Sequence, residues 1–139
     1  MPTPSTPTSI RSSGPVPGNH KPPTTKQLLT LLPKLRVRVI RRFPDPHQTG
    51  EWRPDDAHDD AQGTIVVATS PDRKRGMDGL ITYGLHELIH AYYQLICQDD
   101  RAHEERVYRW ESVLFKSRAL REAMAVRIGN ASIFRVEDP

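Results

Sequence analysis

Two histidines and a glutamate near the middle of the chain have the residue types and the spacing of a metal site. Residues 85–91 read LHELIHA, so His86 and His90 are four residues apart and Glu87 follows the first of them. In an α-helix, residues i and i+4 lie on one face, one turn apart, where two imidazole nitrogens can bind one zinc ion at about 2.0–2.1 Å. The ion would activate a water molecule for attack on a carbonyl group, and Glu87 would accept a proton as the general base.

A pair of solvent-facing histidines on an amphipathic helix is the alternative interpretation of this pattern. Leu85, Leu88 and Ile89 surround the two histidines with apolar side chains, which predicts that the helix is buried. Buried imidazoles need polar partners, and a metal ion is a suitable one. The pattern therefore predicts that His86 and His90 bind Zn²⁺.

A third protein ligand is required, since catalytic zinc commonly takes three protein ligands and a water molecule. The candidates lie on the next predicted helix, whose apolar stripe centres on Val107. At about 100° per residue, Glu104 lies about 60° to one side of that stripe and His103 about 40° to the other. Glu111 lies about 40° from the centre, whereas Glu105 points about 160° away, into solvent. Helical geometry thus leaves His103, Glu104 and Glu111 as candidates.

The elements that position these residues are predicted from local patterns, and together they indicate an α+β fold with a small sheet packed on two or three helices. The β-branched run TIVVAT is typical of a strand. The chain is expected to begin with a helix capped by Thr24 or Thr25 and ending near Pro33, followed by a strand over 35–40, an exposed loop over 43–63 and a strand over 64–69. A helix capped by Asp78 then runs from about Gly79 to Cys97. A second helix, with room for a kink, runs from near Ala102 to Gly129 and Asn130, and a short strand follows over 133–136.

The N-terminal third differs from the rest of the chain in composition and charge. Seven of the thirteen prolines precede residue 24, so we predict a disordered segment over 1–23 and one folded domain over 24–139. Residues 1–42 contain eight Lys and Arg and no Asp or Glu, whereas residues 43–139 contain twelve against seventeen. Such a basic region is typical of a solubilising, flexible leader, and weak, non-specific contact with nucleic acid is the alternative interpretation.

Composition also excludes several classes of protein. No run approaches the roughly 18 consecutive apolar residues of a membrane span, which excludes an integral membrane protein. The N-terminus lacks the apolar core of a secretory signal, so we expect a cytoplasmic protein. The single cysteine, Cys97, excludes an intramolecular disulfide.

The segment from Thr64 to about Ala125 resembles the small zincin metallopeptidases, the H-E-x-x-H class that includes the ImmA/IrrE-like and SprT-like families. The resemblance implies a minimal zincin-like domain, in which a small antiparallel or mixed sheet packs on the motif helix and on a second, ligand-bearing helix. It also implies that the strand before the motif helix, here Thr64–Thr69, is an edge strand that pairs with an extended substrate.

The two families differ in the third ligand that they imply. In the ImmA/IrrE-like proteins this ligand lies on the next helix in a pattern like E-x-x-(small apolar), which Glu104-Glu105-Arg106-Val107 matches with Glu104 as the ligand. SprT-like proteins use a histidine in a pattern like H-G-x-x-F, and the residues from His103 to Val107 depart from it at the glycine and at the aromatic residue. The resemblance therefore favours Glu104 over His103.

The expected function is that of a zinc metallopeptidase acting on a protein or peptide substrate, with His86, His90 and Glu104 as metal ligands and Glu87 as the general base. The alternative is a metal-stabilised binding or regulatory module, associated with DNA-bound proteins and without general proteolysis. The basic region up to Arg42 is the sequence feature that favours the alternative.

Overall fold

Three short strands and four helices make up the computed structural model of the chain, which describes residues 22–54, 61–69, 73–99 and 104–134. The prediction of an α+β fold with a small sheet is confirmed. The helices are α1 (Thr25–Leu31), α2 (Gly76–Leu95), α3 (Glu104–Leu114) and α4 (Arg118–Phe134), the strands are β1 (Arg36–Ile40), β2 (Gly50–Arg53) and β3 (Thr64–Ala68), and short 3₁₀ turns span Leu32–Lys34 and Arg73–Arg75. Residues 1–21, and with them most of the segment predicted to be disordered, lie outside the described residues.

Helix α1 begins where the sequence predicts. Thr24 is its N-cap: the Thr24 hydroxyl accepts a hydrogen bond from the Gln27 backbone N–H at 3.1 Å, and the Gln27 side chain accepts one from the Thr24 N–H at 2.9 Å. This capping box satisfies two backbone donors that the first turn cannot pair. The helix ends at Leu31, before the 3₁₀ turn that contains Pro33.

The sheet is mixed, and its strand order is β1-β3-β2. Strand β3 pairs in parallel with β1, so that Ile65 lies opposite Val37. On its other side it pairs antiparallel with β2, so that Ile65 lies opposite Trp52. The expectation that Thr64–Thr69 is the edge strand is therefore wrong, because β3 is the central strand. All five of its residues are buried, as is typical of a strand covered on both faces, whose sequence is continuously apolar rather than alternating.

The edge strand beside the motif helix is β2, which lies within the segment predicted as a loop. That prediction is wrong for Gly50–Arg53. The four residues are all partly exposed and show no apolar alternation, so they lack the local signal of a strand. Their pairing with β3 is a tertiary contact that supplies the backbone hydrogen bonds.

Helix α2 packs across the sheet against β2 and β3, and it also contacts α1, α3 and α4. The main core lies between α2, α4 and one face of the sheet. Its residues are apolar and buried, and they include Leu28, Leu35, Val39, Ile65, Val67, Leu85, Leu88, Ile89, Val107, Leu120, Met124 and Ile128. A smaller cluster of Ile40, Phe43, Val66 and Ala68 lies on the other face of the sheet.

The ends of two helices differ from the predictions. Arg75 is the N-cap of α2 and makes no side-chain cap hydrogen bond, so the predicted cap, Asp78, lies inside the first turn. Helix α4 continues through Gly129 and Asn130 to Phe134, which shows that the predicted stop is wrong and that a strand does not begin at 133. Of the helices that the structure describes, none combines the length and the apolar character needed to cross a bilayer.

Candidate metal centre

Helix α2 presents His86 and His90 on the face that looks away from the main core. Their side chains are 12% and 15% exposed, and their ring centroids are 4.9 Å apart. Leu85, Leu88 and Ile89, on the opposite faces of the same turns, are fully buried. The packing of these three residues holds the helix in place, so the predicted burial around the histidine pair is present.

Glu104, the first residue of α3, reaches across to both histidines. Its Oε1 lies 2.6 Å from His90 Nε2, and its Oε2 lies 3.4 Å from His86 Nε2. The three residues each offer one ligand atom, and these atoms lie within 4.8 Å of one another. Two nitrogens and one carboxylate oxygen therefore lie close together between α2 and α3.

Glu111 lies on the other side of His86. Its Oε2 is 2.8 Å from His86 Nδ1, and its side chain is 14% exposed. A His86 ring protonated on Nδ1 donates this hydrogen bond and turns the lone pair of Nε2 towards Glu104. Glu111 therefore fixes the orientation of the ring rather than joining the group of three ligand atoms.

The donor set fits a zinc ion. Two atoms bound at about 2.0–2.1 Å in tetrahedral geometry lie about 3.3 Å apart, close to the 3.4 Å between His86 Nε2 and Glu104 Oε2. The 2.6 Å between His90 Nε2 and Glu104 Oε1 is a hydrogen-bond distance, shorter than that spacing. The imidazole and carboxylate groups are ligands that zinc accepts, and three of them leave one position open. The hydrogen-bonded carboxylate behind His86 is also typical of zinc sites.

Glu87 is buried beside this group, with 7% of its surface exposed. Burial raises the pKa of Glu87 to about 7. The adjacent His86 lowers it, and the carboxylates of Glu104, Glu51 and Glu111 raise it further. Burial lowers the pKa of His86, but the hydrogen bond to Glu111 and the nearby carboxylates outweigh this effect, so that its pKa lies above the ordinary value.

A cleft of about 800 Å³ opens over the site, between β2 and the helices α2 and α3. Strand β2 forms one wall of the cleft, and its second edge is unpaired among the strands that the structure describes. The remaining lining comes from the two helices and from residues near their ends. The lining residues include His47, Gln48, Thr49, Gly50, Glu51, Trp52, Arg75, Thr82, Tyr83, Gln94, Tyr108 and the five residues of the candidate site.

Two of the four tyrosines in the chain reach the cleft. Tyr83 and Tyr108 line it, and the Tyr108 ring lies 4.7 Å from the ring of His86. Tyr93 is 1% exposed and belongs to the main core. A phenol that donates to a developing oxyanion can therefore come from Tyr83 or Tyr108 but not from Tyr93.

The structure thus brings together His86, Glu87, His90 and Glu104, the four residues that the sequence singled out. His103 lies outside the described residues, and Glu111 contacts a ring nitrogen of His86. Sequence reasoning did not identify β2 as part of the site. One signal in the sequence could have identified it, namely Gly50 next to Trp52, since a glycine within a strand often marks a close backbone approach.

Comparison of the chain with protein-family models, with curated proteins and with solved structures gave no match. The resemblance to small zincins therefore rests on the residues of the sequence motif alone.

Proposed function

We propose that the protein is a zinc-dependent peptidase whose metal ligands are His86, His90 and Glu104. The observation that carries this proposal is the convergence of the three ligand atoms within 4.8 Å next to a buried carboxyl group and an edge strand. A bound zinc ion would polarise a peptide carbonyl group and lower the pKa of a water molecule.

Glu87 is the general base in this proposal. Its carboxyl group is adjacent in sequence to a ligand, lies at the wall of the cleft and is not one of the three converging ligands. It can accept a proton from the attacking water and transfer that proton to the leaving amine. Its burial excludes bulk water, which would otherwise compete for the same proton.

The substrate is an extended peptide that pairs with β2. This strand replaces β3 in that role, because β2 forms the cleft wall and β3 is paired on both sides. An edge strand holds an extended chain through main-chain hydrogen bonds, which require no particular side chains. The peptide would then pass over Glu87 and the three ligands.

The test is the substitution Glu87→Gln, which keeps the size of the side chain and removes its basicity. We expect the variant to retain zinc and to lose cleavage of a proteome-derived peptide mixture, measured by mass spectrometry of the products. Glu105→Gln, an exposed residue of α3 outside the cleft, is the matched control and should cleave as the wild type does. Cleavage retained in Glu87→Gln would favour the alternative, a metal-stabilised binding module.

A further inference from the structure

The cleft has an uneven distribution of charge along α2. Carboxylates line most of it: Glu51, Glu87, Glu104, Glu111 and Asp99. Among the described residues of the lining, a single lysine or arginine occurs, Arg75, at the N-terminal end of α2. A carboxylate on a bound ligand is repelled along most of the cleft and attracted at Arg75, so this residue is suited to fix the position of an acidic group.

The Arg75 guanidinium is held over the first turns of α2 by specific contacts. Its Nη2 donates to the Thr82 hydroxyl at 3.1 Å, and its Cζ lies 5.9 Å from the centre of the Tyr83 ring. The Thr82 hydroxyl in turn donates to the Asp78 carbonyl at 2.9 Å. A side chain held in this way loses less conformational entropy when it binds a ligand.

Gly79 makes room for this arrangement. A β-carbon at position 79 would lie 2.9 Å from Arg75 Cβ and 3.6 Å from the Tyr83 hydroxyl. Positions 75, 79 and 83 follow one another along the same helix face. The glycine between them lets the arginine lie back along the helix towards the tyrosine, where it stays exposed at the edge of the cleft.

The position of Arg75 defines which part of a substrate it meets. Thr82 and Tyr83 precede His86 and Glu87 by one helical turn, about 5.4 Å, which corresponds to one or two residues of an extended chain. Strand β2 runs in the same sense as α2, because Gly50 lies against Glu87 and Trp52 donates to Gln94 at 2.5 Å. An antiparallel substrate strand therefore runs towards Arg75, so that its C-terminal side arrives there.

We propose that Arg75, with Thr82 and Tyr83, forms a carboxylate-binding subsite for the first or second residue after the scissile bond. The planar guanidinium fork matches the geometry of a carboxylate. The carboxylate belongs either to an Asp or Glu side chain or to the C-terminus of a short peptide. This inference rests on the proposed peptidase function and names the substrate class that the site selects.

The first test compares cleavage of a degenerate peptide library by the wild type, Arg75→Gln and Arg75→Glu. We expect the wild type to favour Asp or Glu over Asn or Gln about tenfold at the first or second position after the cleaved bond. Arg75→Gln should lose this preference, and Arg75→Glu should favour Lys at the same position. Arg118→Gln, which removes a charge at a side chain that is 84% exposed on α4, should retain the wild-type profile.

A second library with amidated C-termini identifies the source of the carboxylate. If amidation leaves the Asp or Glu preference unchanged, the subsite binds an acidic side chain. If the wild type instead favours bonds one or two residues from a free C-terminus, and amidation removes that preference, the subsite binds a peptide C-terminus. A wild-type profile with neither preference, or the same preference in Arg75→Gln, would overturn the proposal.

A binding measurement separates this inference from the peptidase proposal. The full-length Glu87→Gln protein is titrated with a dye-labelled peptide pool rich in Asp and Glu, and with its Asn and Gln counterpart, and anisotropy is recorded. One outcome is that the wild type cleaves no peptide, the acidic pool binds about tenfold more tightly than its counterpart, and Arg75→Gln removes that difference in affinity. In that case the subsite is supported and the peptidase proposal is wrong. Equal binding of the two pools, with no loss for either pool in Arg75→Gln, refutes the subsite.

Discussion

Gly50 on β2 lies against the carboxyl group of Glu87 on α2. A β-carbon at position 50 would lie 3.0 Å from Glu87 Oε2, 3.1 Å from its Cγ and 3.3 Å from the Val66 carbonyl oxygen. The backbone of the edge strand therefore forms the wall against which the proposed general base is buried. Any side chain larger than hydrogen at this position must move either the carboxyl group or the strand.

Gly50→Ala is expected to lower kcat/KM while leaving the fold and the zinc content unchanged. The added methyl group displaces the Glu87 carboxyl group by several tenths of an ångström, and misplacement of a catalytic group by about 1 Å can cost about 100-fold in rate. We expect a loss of about 10- to 100-fold, measured with a peptide that the wild type cleaves, alongside circular dichroism and metal analysis.

Gly129→Ala provides the matched control for that substitution. No atom lies within 4 Å of a β-carbon at this helical position, so the alanine should leave activity unchanged and should stabilise α4 by about 0.5–1 kcal/mol. Wild-type kcat/KM in Gly50→Ala would show that the contact with Glu87 does not position the carboxyl group.

The sequence predicts those parts of the site that depend on local geometry. The i, i+4 spacing places His86 and His90 on one face, and the Thr24 capping box is a pattern of four residues. The register of α3 against α2 is not local. Glu104 and Glu111 are seven residues apart and differ by only about 20° around the helix, so angle alone cannot separate a ligand from the partner of His86 Nδ1.

Strand β2 and the end of α4 also could not be predicted from local sequence patterns. Gly50–Arg53 forms a strand because it pairs with β3. The four residues themselves carry no sequence signal of that pairing. Gly129 and Asn130 resemble a helix stop, yet α4 continues through them, with Ile128 buried and Ala131 packed against the core. In both places tertiary contacts override local propensity.

Arg127→Met is expected to lower the free energy of unfolding by about 2 kcal/mol. Arg127 on α4 donates to the Leu32 carbonyl at 3.0 Å and to the Leu35 carbonyl, and so ties the helix to the chain that enters β1. Hydrogen bonds from a charged donor contribute about 1.5–3 kcal/mol. Without Arg127 the Leu35 carbonyl loses this partner, whereas the Leu32 carbonyl still accepts from the Leu35 N–H. Urea unfolding measures the change, and Arg118→Met, at a side chain that is 84% exposed, should unfold at the wild-type midpoint.

The residues of the candidate metal centre should fall into three groups by zinc affinity, measured by competition with a chelator. His86→Ala, His90→Ala and Glu104→Ala should lose most of the affinity, because each removes a ligand. Glu111→Ala should weaken binding about 10- to 100-fold, because it removes only the partner that orients the His86 ring.

Glu105→Ala and His103→Ala are the controls for these variants and should bind zinc as the wild type does. The wild type should contain about one zinc ion per chain. If His103→Ala loses the metal while Glu104→Ala keeps it, the third ligand is His103 and the SprT-like pattern applies.

The burial of Glu87 predicts a pH dependence of stability in the metal-free protein. Its pKa is about 7 in the folded state, against an ordinary value of 4.5. The folded state therefore binds the proton more tightly, and the contribution to stability is full below about pH 4.5 and is lost as the pH rises to about 7. This difference in pKa between the folded and unfolded states corresponds to about 3 kcal/mol in the free energy of unfolding. Glu87→Gln removes this titration, so the variant should gain about 3 kcal/mol relative to the wild type between pH 4.5 and pH 8.

The measurement is urea unfolding of both proteins across that pH range after dialysis against a chelator. Titrating groups that Glu87 does not influence cancel in the difference between the two proteins. His86 does not cancel, because Glu87 raises its pKa. Glu105→Gln, which alters an exposed carboxyl group of the same protein, is the matched control. A flat difference for Glu87→Gln would mean that the carboxyl group is solvated, and β2 would then not bury it. A difference that grows with rising pH is the result that the contact between Gly50 and Glu87 predicts.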